Sequence, residues 1–311
     1  MDSAGYCAGA VVSVSFLVTG CLGTSNVFSL QLSDTSGGFD KFTNIGSAKS
    51  QGSGTISGTI PAGTAEGTGY RVRVIASSPY LAGDASQKSF AVYPSPKVAD
   101  KDYDSDVSIL VNPSPALTGT QVTMKAVSKS GTLYDKYEWT FENDAVPPSA
   151  TGAVVQTTFA TPGPQSPAVK VTTKHGCSAT YKVTSKTSPC IQGFVVFSCN
   201  PKIPSNATVH KGTCASEKGS TCSSSSVTWL CAGSAFASGG GCLTHYVEPG
   251  ASLTSGGGGS NVAFVKAGGS APSGASTVIF EPGASVPTGV LLLECPKLTF
   301  DYSTAPKPGC F

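Results

Sequence analysis

At 311 residues the chain is long enough for two or three domains, each able to bury a core of its own. Its 37 Gly and 21 Pro approach a fifth of the residues, and charged residues make up 12%, about half the usual ~25%. That balance suits short strands joined by tight turns and excludes helical bundles and coiled coils. A net charge of +2 without a basic cluster excludes an electrostatic footprint for nucleic acid.

The longest apolar runs, such as Val290 to Leu293, fall far short of the ~20 residues that span a bilayer, so no membrane insertion is expected. Met1 runs directly into Asp2-Ser3-Ala4-Gly5, with no positive patch and no apolar h-region. The expectation is that Met1 was added to a fragment, or to a mature chain, of something larger.

Residues 1–96 read as one sandwich. Val12, Val14, Phe16 and Val18 alternate with Ser13, Ser15, Leu17 and Thr19, the period of a half-buried strand. Phe28, Leu30 and Leu32 repeat the pattern beyond the turn at Gly23, and Ile56 and Ile60 flank Gly58 in a weaker strand closed by Pro61-Ala62-Gly63. Tyr70, Val72, Val74 and Ala76 point one way while Arg71 and Arg73 point the other, and Phe90 and Val92 supply the last strand. Strands at this spacing, with turn signals between them, fit an Ig-like β-sandwich. Cys7 and Cys21 bracket the first strand and are placed to tie it to its neighbour, although spacing alone does not fix connectivity.

The strings Phe28-Ser-Leu-Gln-Leu-Ser-Asp34, Ile45-Gly46-Ser47, Thr59-Ile-Pro-Ala-Gly63 and Gly69-Tyr-Arg-Val-Arg-Val74 resemble an Ig-like module that recurs in large secreted bacterial proteins, often beside adhesin and sorting domains. The resemblance covers most of the first 95 residues and implies no activity.

Pro94-Ser-Pro96 and the polar run that follows make a linker over 97–106. A second sandwich is expected over 107–190. Val107, Ile109 and Val111 alternate, as do Val122, Met124 and Ala126, and Tyr137, Trp139 and Phe141 share one face of the next strand. Gln156 to Ala160 precedes a Pro-Gly turn, and Val169-Lys-Val171 and Tyr181-Lys-Val183 complete the sheets. This arrangement resembles a PKD domain, an Ig-like sandwich whose signature is a Tyr-x-Trp-x-Phe strand and a Gly-Asp-Gly turn. Trp139 and Phe141 match its core positions, whereas Glu142-Asn-Asp-Ala145 departs from its turn. His175-Gly176-Cys177 matches a short hairpin of bacterial copies. The resemblance implies extracellular spacing or contact with protein and carbohydrate, not catalysis.

From 191 to 311 an internal repeat appears. Tyr246-Val-Glu-Pro-Gly-Ala-Ser252, Phe264-Val-Lys-Ala-Gly-Gly-Ser270 and Ile279-Phe-Glu-Pro-Gly-Ala-Ser285 are copies of one pattern, and Trp229-Leu-Cys-Ala-Gly-Ser234 is a degenerate fourth. Self-similarity of this period predicts a β-solenoid, with glycine at the corners where positive φ is needed and the apolar pair of each copy stacked inside. The poly-Gly runs Gly239 to Gly241 and Gly256 to Gly259 serve as turn material. They are not a phosphate loop, because no Gly-Lys-Ser/Thr follows.

The chain has eleven cysteines. Seven of them, Cys199, Cys214, Cys222, Cys231, Cys242, Cys295 and Cys310, lie at irregular spacings in the last third, without any C-x2-C. That pattern predicts disulfides in an oxidising compartment rather than zinc, with at least one thiol free or paired outside the chain. Asp100, Asp102, Asp104 and Asp106 alternate in the linker; a Ca²⁺ site there is weighed against a solvated linker, which is favoured. Asn206-Ala-Thr208 matches a glycosylation sequon without further support.

The three histidines, His175, His210 and His245, sit in no triad motif and are expected in turns or at the surface. Glu248 and Glu281 occupy equivalent repeat positions with Lys266 between them, so an outer charge ladder is favoured over a carboxylate pair acting on glycosidic bonds. The sequence thus predicts an all-β chain, two Ig-like/PKD-like β-sandwiches in tandem followed by a small β-solenoid. It assigns no catalytic residue, metal or cofactor. The expected function is a non-catalytic structural or adhesive segment, secreted or at the cell surface, with a polysaccharide or another surface protein as partner. The alternative is a carbohydrate-binding or polysaccharide-processing segment working through the solenoid.

Overall fold

The computed structural model describes residues 5–99, 105–142, 144–183, 193–216, 226–238, 241–255, 261–307 and 309–310. Every regular element among them is a β-strand, as the turn-rich composition predicts. None of these residues belongs to a helix long and apolar enough to cross a membrane. The chain divides into two compact units. One holds Met1–Ser108, Val127–Glu138 and Val169–Tyr181, and the other holds Ile109–Ala126, Trp139–Ala168 and Lys182–Phe311.

The first nine strands are β1 (Tyr6–Cys7), β2 (Val11–Phe16), β3 (Val27–Leu32), β4 (Thr43–Lys49), β5 (Gly54–Thr59), β6 (Gly67–Tyr70), β7 (Val72–Ser77), β8 (Tyr80–Ala82) and β9 (Phe90–Tyr93). They form a four-stranded sheet β4-β3-β7-β8, a two-stranded ribbon β2-β5 and a three-stranded sheet β1-β9-β6. Val12, Leu30, Ile56, Val72 and Val92, drawn from all three, meet in one apolar cluster. Burying each such side chain is worth ~1.5–3 kcal/mol.

Two glycines set how closely β4 and β5 approach. A methyl group on Gly58 would lie 2.7 Å from the Ile45 carbonyl oxygen, and one on Gly46 would overlap the Ser57 carbonyl. Asn26, fully buried, joins three segments: its Nδ2 donates to Ser50 O (2.8 Å), and its Oδ1 accepts from Ser77 N (2.9 Å) and Ser78 N (3.0 Å).

The run Tyr70 to Ala76, expected as one strand, divides at Arg71. Tyr70 ends β6, which pairs with β9, while β7 pairs with β3. Arg71 N–H donates to the Ser33 hydroxyl (2.8 Å) and Arg71 O accepts from Ser33 N–H (2.9 Å), so a side chain stands in for part of the ladder where the strand changes sheets.

Cys7 does not pair with Cys21. It bonds Cys177, 170 residues away, and Cys21 is free and exposed. The two cysteines that bracket β2 stand at opposite ends of ~20 Å of extended chain, whereas a disulfide needs Cα atoms within ~7 Å. β1 instead runs parallel to β9, and Tyr93 of β9 stacks on His175 with ring centroids 3.6 Å apart, beside Cys177 in sequence. The expected linker is pinned at its ends. Lys97 N–H donates to the Asp106 carboxylate (2.6 Å), Asp106 N–H returns a bond to Lys97 O (2.9 Å), and Tyr181 OH donates to Lys97 O (3.1 Å). Asp100, Asp102 and Asp104 lie outside the described residues.

The next eleven strands are β10 (Val107–Asn112), β11 (Ala116–Leu117), β12 (Gln121–Ser128), β13 (Lys136–Thr140), β14 (Ala145–Val146), β15 (Ser149–Thr151), β16 (Val154–Phe159), β17 (Gly163–Gln165), β18 (Ala168–Thr172), β19 (Ser178–Lys182) and β20 (Phe194–Phe197). Their sheets are β10-β12-β16-β14, β15-β13-β18-β19 and β11-β20-β17. Trp139 is buried, stacks on Phe141 at 6.2 Å, and donates its indole N–H to Gly152 O (2.8 Å).

The last eight are β21 (Thr208–His210), β22 (Val227–Leu230), β23 (Ala235–Ser238), β24 (Thr244–Val247), β25 (Ser252–Ser255), β26 (Val262–Val265), β27 (Thr277–Phe280) and β28 (Leu291–Glu294). Six of them form a parallel sheet in the order β21-β22-β24-β26-β27-β28, with Trp229, Tyr246, Phe264 and Ile279 in one register column. This is the expected C-terminal β-solenoid. Its corner glycines Gly233, Gly250, Gly268 and Gly283 all have positive φ, between 76° and 97°. Gly250 N–H donates to Gly268 O (2.8 Å) and Gly268 N–H to Gly283 O (2.9 Å), so the corners stack by hydrogen bonds as well.

Candidate functional site

The apolar pair of each repeat does not stay together inside the solenoid. Neighbouring residues of a strand face opposite sides, so Leu230, Val247 and Val265 pack inward with Leu253 and Phe236. Trp229, Tyr246, Phe264 and Ile279 pack on the other face, against Ile203, Leu298 and Phe300. A cover therefore lies over the aromatic face. It is made by two extended pieces of chain that hydrogen-bond to each other, Thr299 N–H to Cys199 O (3.0 Å), Asp301 N–H to Pro201 O (2.9 Å) and Ile203 N–H to Asp301 O (3.0 Å). Burial on both faces explains why strands such as Val262–Val265 are apolar throughout.

The residue that follows each strand forms a second column: Cys231, Glu248, Lys266, Glu281 and Cys295. Their backbone N–H groups donate in turn to His210, Leu230, Val247, Val265 and Phe280 carbonyls, each one coil away. Four of the five side chains reach for the cover. Cys231 bonds Cys310 and Cys295 bonds Cys199. Glu248 accepts a short hydrogen bond from the Tyr302 hydroxyl and pairs with Lys266 Nζ at 3.0 Å. Lys266 Nζ also lies 5.1 Å from the centre of the Phe300 ring. The fifth, Glu281, accepts from Ala267 N–H (3.2 Å).

The expected charge ladder is present, but Glu248 is not on an exposed outer face. Its side chain is 9% exposed and that of Lys266 24%. Burial pushes the Tyr302 phenol well above its ordinary range, helped by the bond it donates to Glu248 and by that carboxylate's charge. Burial also pushes Tyr246 up to about 12; its hydroxyl donates to Lys202 O (3.3 Å).

The expectation of surface histidines is overturned for two of the three. His210 and His245 are 1% and 0% exposed. They occupy inward positions of β21 and β24: His210 shares a column with Leu230 and Val247, and His245 shares one with Thr228, Ala263 and Val278. His245 Nδ1 shares a 2.5 Å hydrogen bond with the hydroxyl of Thr228, one coil below. Burial, and then the nearby His210, pull its pKa down to about 4, so the imidazole is neutral at pH 7. His175 lies in the expected turn. Asn206 is exposed.

The residues that sequence reasoning missed are Phe300 and Tyr302. Their signal was available: Leu298, Phe300 and Tyr302 alternate with polar residues as a half-buried strand does. Among the described residues Cys214 and Cys242 are also disulfide-bonded, and the paired cysteines fit an extracellular protein.

No family model and no curated protein matches the chain. Among solved structures it is similar to the adhesin InvE of Yersinia pseudotuberculosis, at 16% identity over 60% of this chain, with a TM-score of 0.19. The match spans 58% of that protein's chain, and at this score the likeness carries no argument.

Proposed function

We propose that the chain is a non-catalytic structural and adhesive segment of a secreted or cell-surface protein. Its Ig-like and PKD-like sandwiches act as spacers, and its solenoid presents a surface to a polysaccharide or another surface protein. The observation that supports this most is the column Cys231, Glu248, Lys266, Glu281 and Cys295. The two carboxylates that a glycosidase would use are engaged in fastening, Glu248 to the cover and Glu281 to the next corner. Disulfides at both ends of the column hold the same cover. Such bracing suits a module that transmits load.

The reading is tested by pulling the oxidised chain between its termini and by panels of immobilised glycans and surface proteins. The expected result is high unfolding force that falls on reduction, together with binding that survives Glu248→Gln and Glu281→Gln. Polysaccharide turnover lost in either variant would replace this reading with the carbohydrate-processing one.

A further inference from the structure

β2 has β5 as its sheet neighbour and, among the described residues, none on its other side. Its ladder fixes which backbone groups that leaves over. Ile60 N–H donates to Ala10 O while Ile60 O accepts from Gly9 N–H, so the Ala10 carbonyl faces β5. Antiparallel ladders alternate, so Val12, Val14 and Phe16 bond to β5. The N–H and C=O groups of Val11, Ser13, Ser15 and Leu17 face the open edge. Val18 N–H, donating to Ser53 Oγ (2.8 Å), continues the same alternation.

Among the described residues no strand pairs with this edge. The six residue pairs from Val11↔Thr59 to Phe16↔Gly54 run without a bulge, and Val11 to Leu17 contain no charge and no proline, the devices that normally keep edges apart. Val11 and Leu17 are 60% and 81% exposed. A groove of about 580 Å³ runs alongside, lined by Ser13, Phe16, Val74, Asp84 and Ser86 among others. The contrast with the opposite seam is sharp, because there Gly46 and Gly58 bring β4 and β5 into backbone contact.

The edge also matches itself. Val11-Val12-Ser13-Val14-Ser15-Phe16-Leu17 has the same apolar and polar order read from either end, with Val14 at its centre. We propose that the open edge of β2 is a self-association surface, at which a second copy of this chain adds its own β2 in antiparallel register about Val14. In that register Ser13 faces the partner's Ser15, and Val11 covers the partner's Leu17. Both pairs join residues whose backbone groups point outward, as a hydrogen-bonded pair requires. The two β2-β5 ribbons become one four-stranded sheet.

An uncharged edge meets its copy without like-charge repulsion. One seven-residue strand against another covers less than the ~800 Å² per partner of a standard interface, so the dimer is weak. It is populated at micromolar concentrations or above, and more fully where many copies share a surface.

Sedimentation equilibrium of the full chain, in a Cys21→Ser background to remove the free thiol, tests this. The expected result is a concentration-dependent monomer–dimer equilibrium, weakened at least tenfold by Ser15→Pro. That substitution removes an outward N–H and leaves the β2-β5 ladder intact. Leu17→Lys, which alters no backbone group, weakens it as well. Mixed Ser13→Cys and Ser15→Cys chains form a cross-linked dimer under mild oxidation, while either alone gives little. A chain that stays monomeric to its solubility limit overturns the proposal. So does a dimer that both Ser15→Pro and Leu17→Lys leave unchanged, or equal cross-linking of Ser13→Cys alone.

Discussion

Cys231 and Cys295 occupy the same corner position at opposite ends of one stacked column, and each is bonded to the chain that covers the solenoid's aromatic face. The cover is thus held at both ends covalently and in its middle by Glu248 and Lys266. Opening either covalent end releases a long loop, 79 residues for Cys231–Cys310 and 96 for Cys199–Cys295. Cys231→Ser with Cys310→Ser should therefore lower unfolding free energy by about 2–5 kcal/mol. Denaturant melts of the double variant under oxidising conditions measure this, and a loss below about 1 kcal/mol would show that the cover holds by packing alone.

The middle of the latch should be cooperative. Glu248→Gln leaves Lys266 under the cover without its anion, and Lys266→Met leaves Glu248 without its cation. Removing one partner of a fully buried pair costs 3–5 kcal/mol; partial exposure of Lys266 reduces this to about 1–3 kcal/mol for each variant. Glu248→Gln combined with Lys266→Met should cost less than the sum of the two. Strict additivity in that double-mutant cycle would mean that the pair contributes no coupling.

Acid should loosen the solenoid before it loosens the rest. The His245 pKa is about 4 in the folded chain, against ~6.5 when unfolded. As pH falls below 6.5 the unfolded chain takes up this proton first, so stability is complete above that value. It declines until pH 4, where the folded state binds the proton too. The shift corresponds to roughly 3 kcal/mol. His245→Met should flatten the stability profile between pH 6.5 and 4. Asp34 and Asp301, whose carboxyls are held low by hydrogen bonds from Ser36 and Ser303 respectively, act only in more acid solution.

Gly58→Ala should separate β4 from β5 and cost about 1–3 kcal/mol through backbone overlap, because the obstructing atoms belong to Ile45. Gly52→Ala is the control: a methyl there meets nothing within 4 Å. Its effect should stay within about 0.5 kcal/mol. Thermal melts of the two variants, compared side by side, decide the matter.

What the sequence revealed and what it hid follow from range. Alternation at Val12 to Phe16 and glycine return from Gly233 to Gly283 are local, and the strands and the solenoid corners were legible from them. The pairing of Cys7 with Cys177 depends on contacts 170 residues apart, which no spacing rule carries. The side of the sheet that Tyr246 and Phe264 face was obscured for a related reason. In a parallel sheet buried on both faces, strands such as Val262–Val265 are apolar throughout and polar residues such as His245 also point inward, so polarity does not mark the inside. The histidines were misplaced because a polar residue at an inward position looks like a surface residue until its partner is known. For His245 that partner, Thr228, is a coil away.

The arrangement around β2 sets an order of events during oxidative folding. Cys21 emerges soon after Cys7, whereas Cys177 follows only after about 156 more residues. An early oxidant would therefore meet the wrong thiol first. Pairing of β2 with β5 holds Cys7 and Cys21 apart, so this ribbon must form before oxidation for the correct partner to win. Slowing that ribbon would trap the nascent chain with a misplaced crosslink.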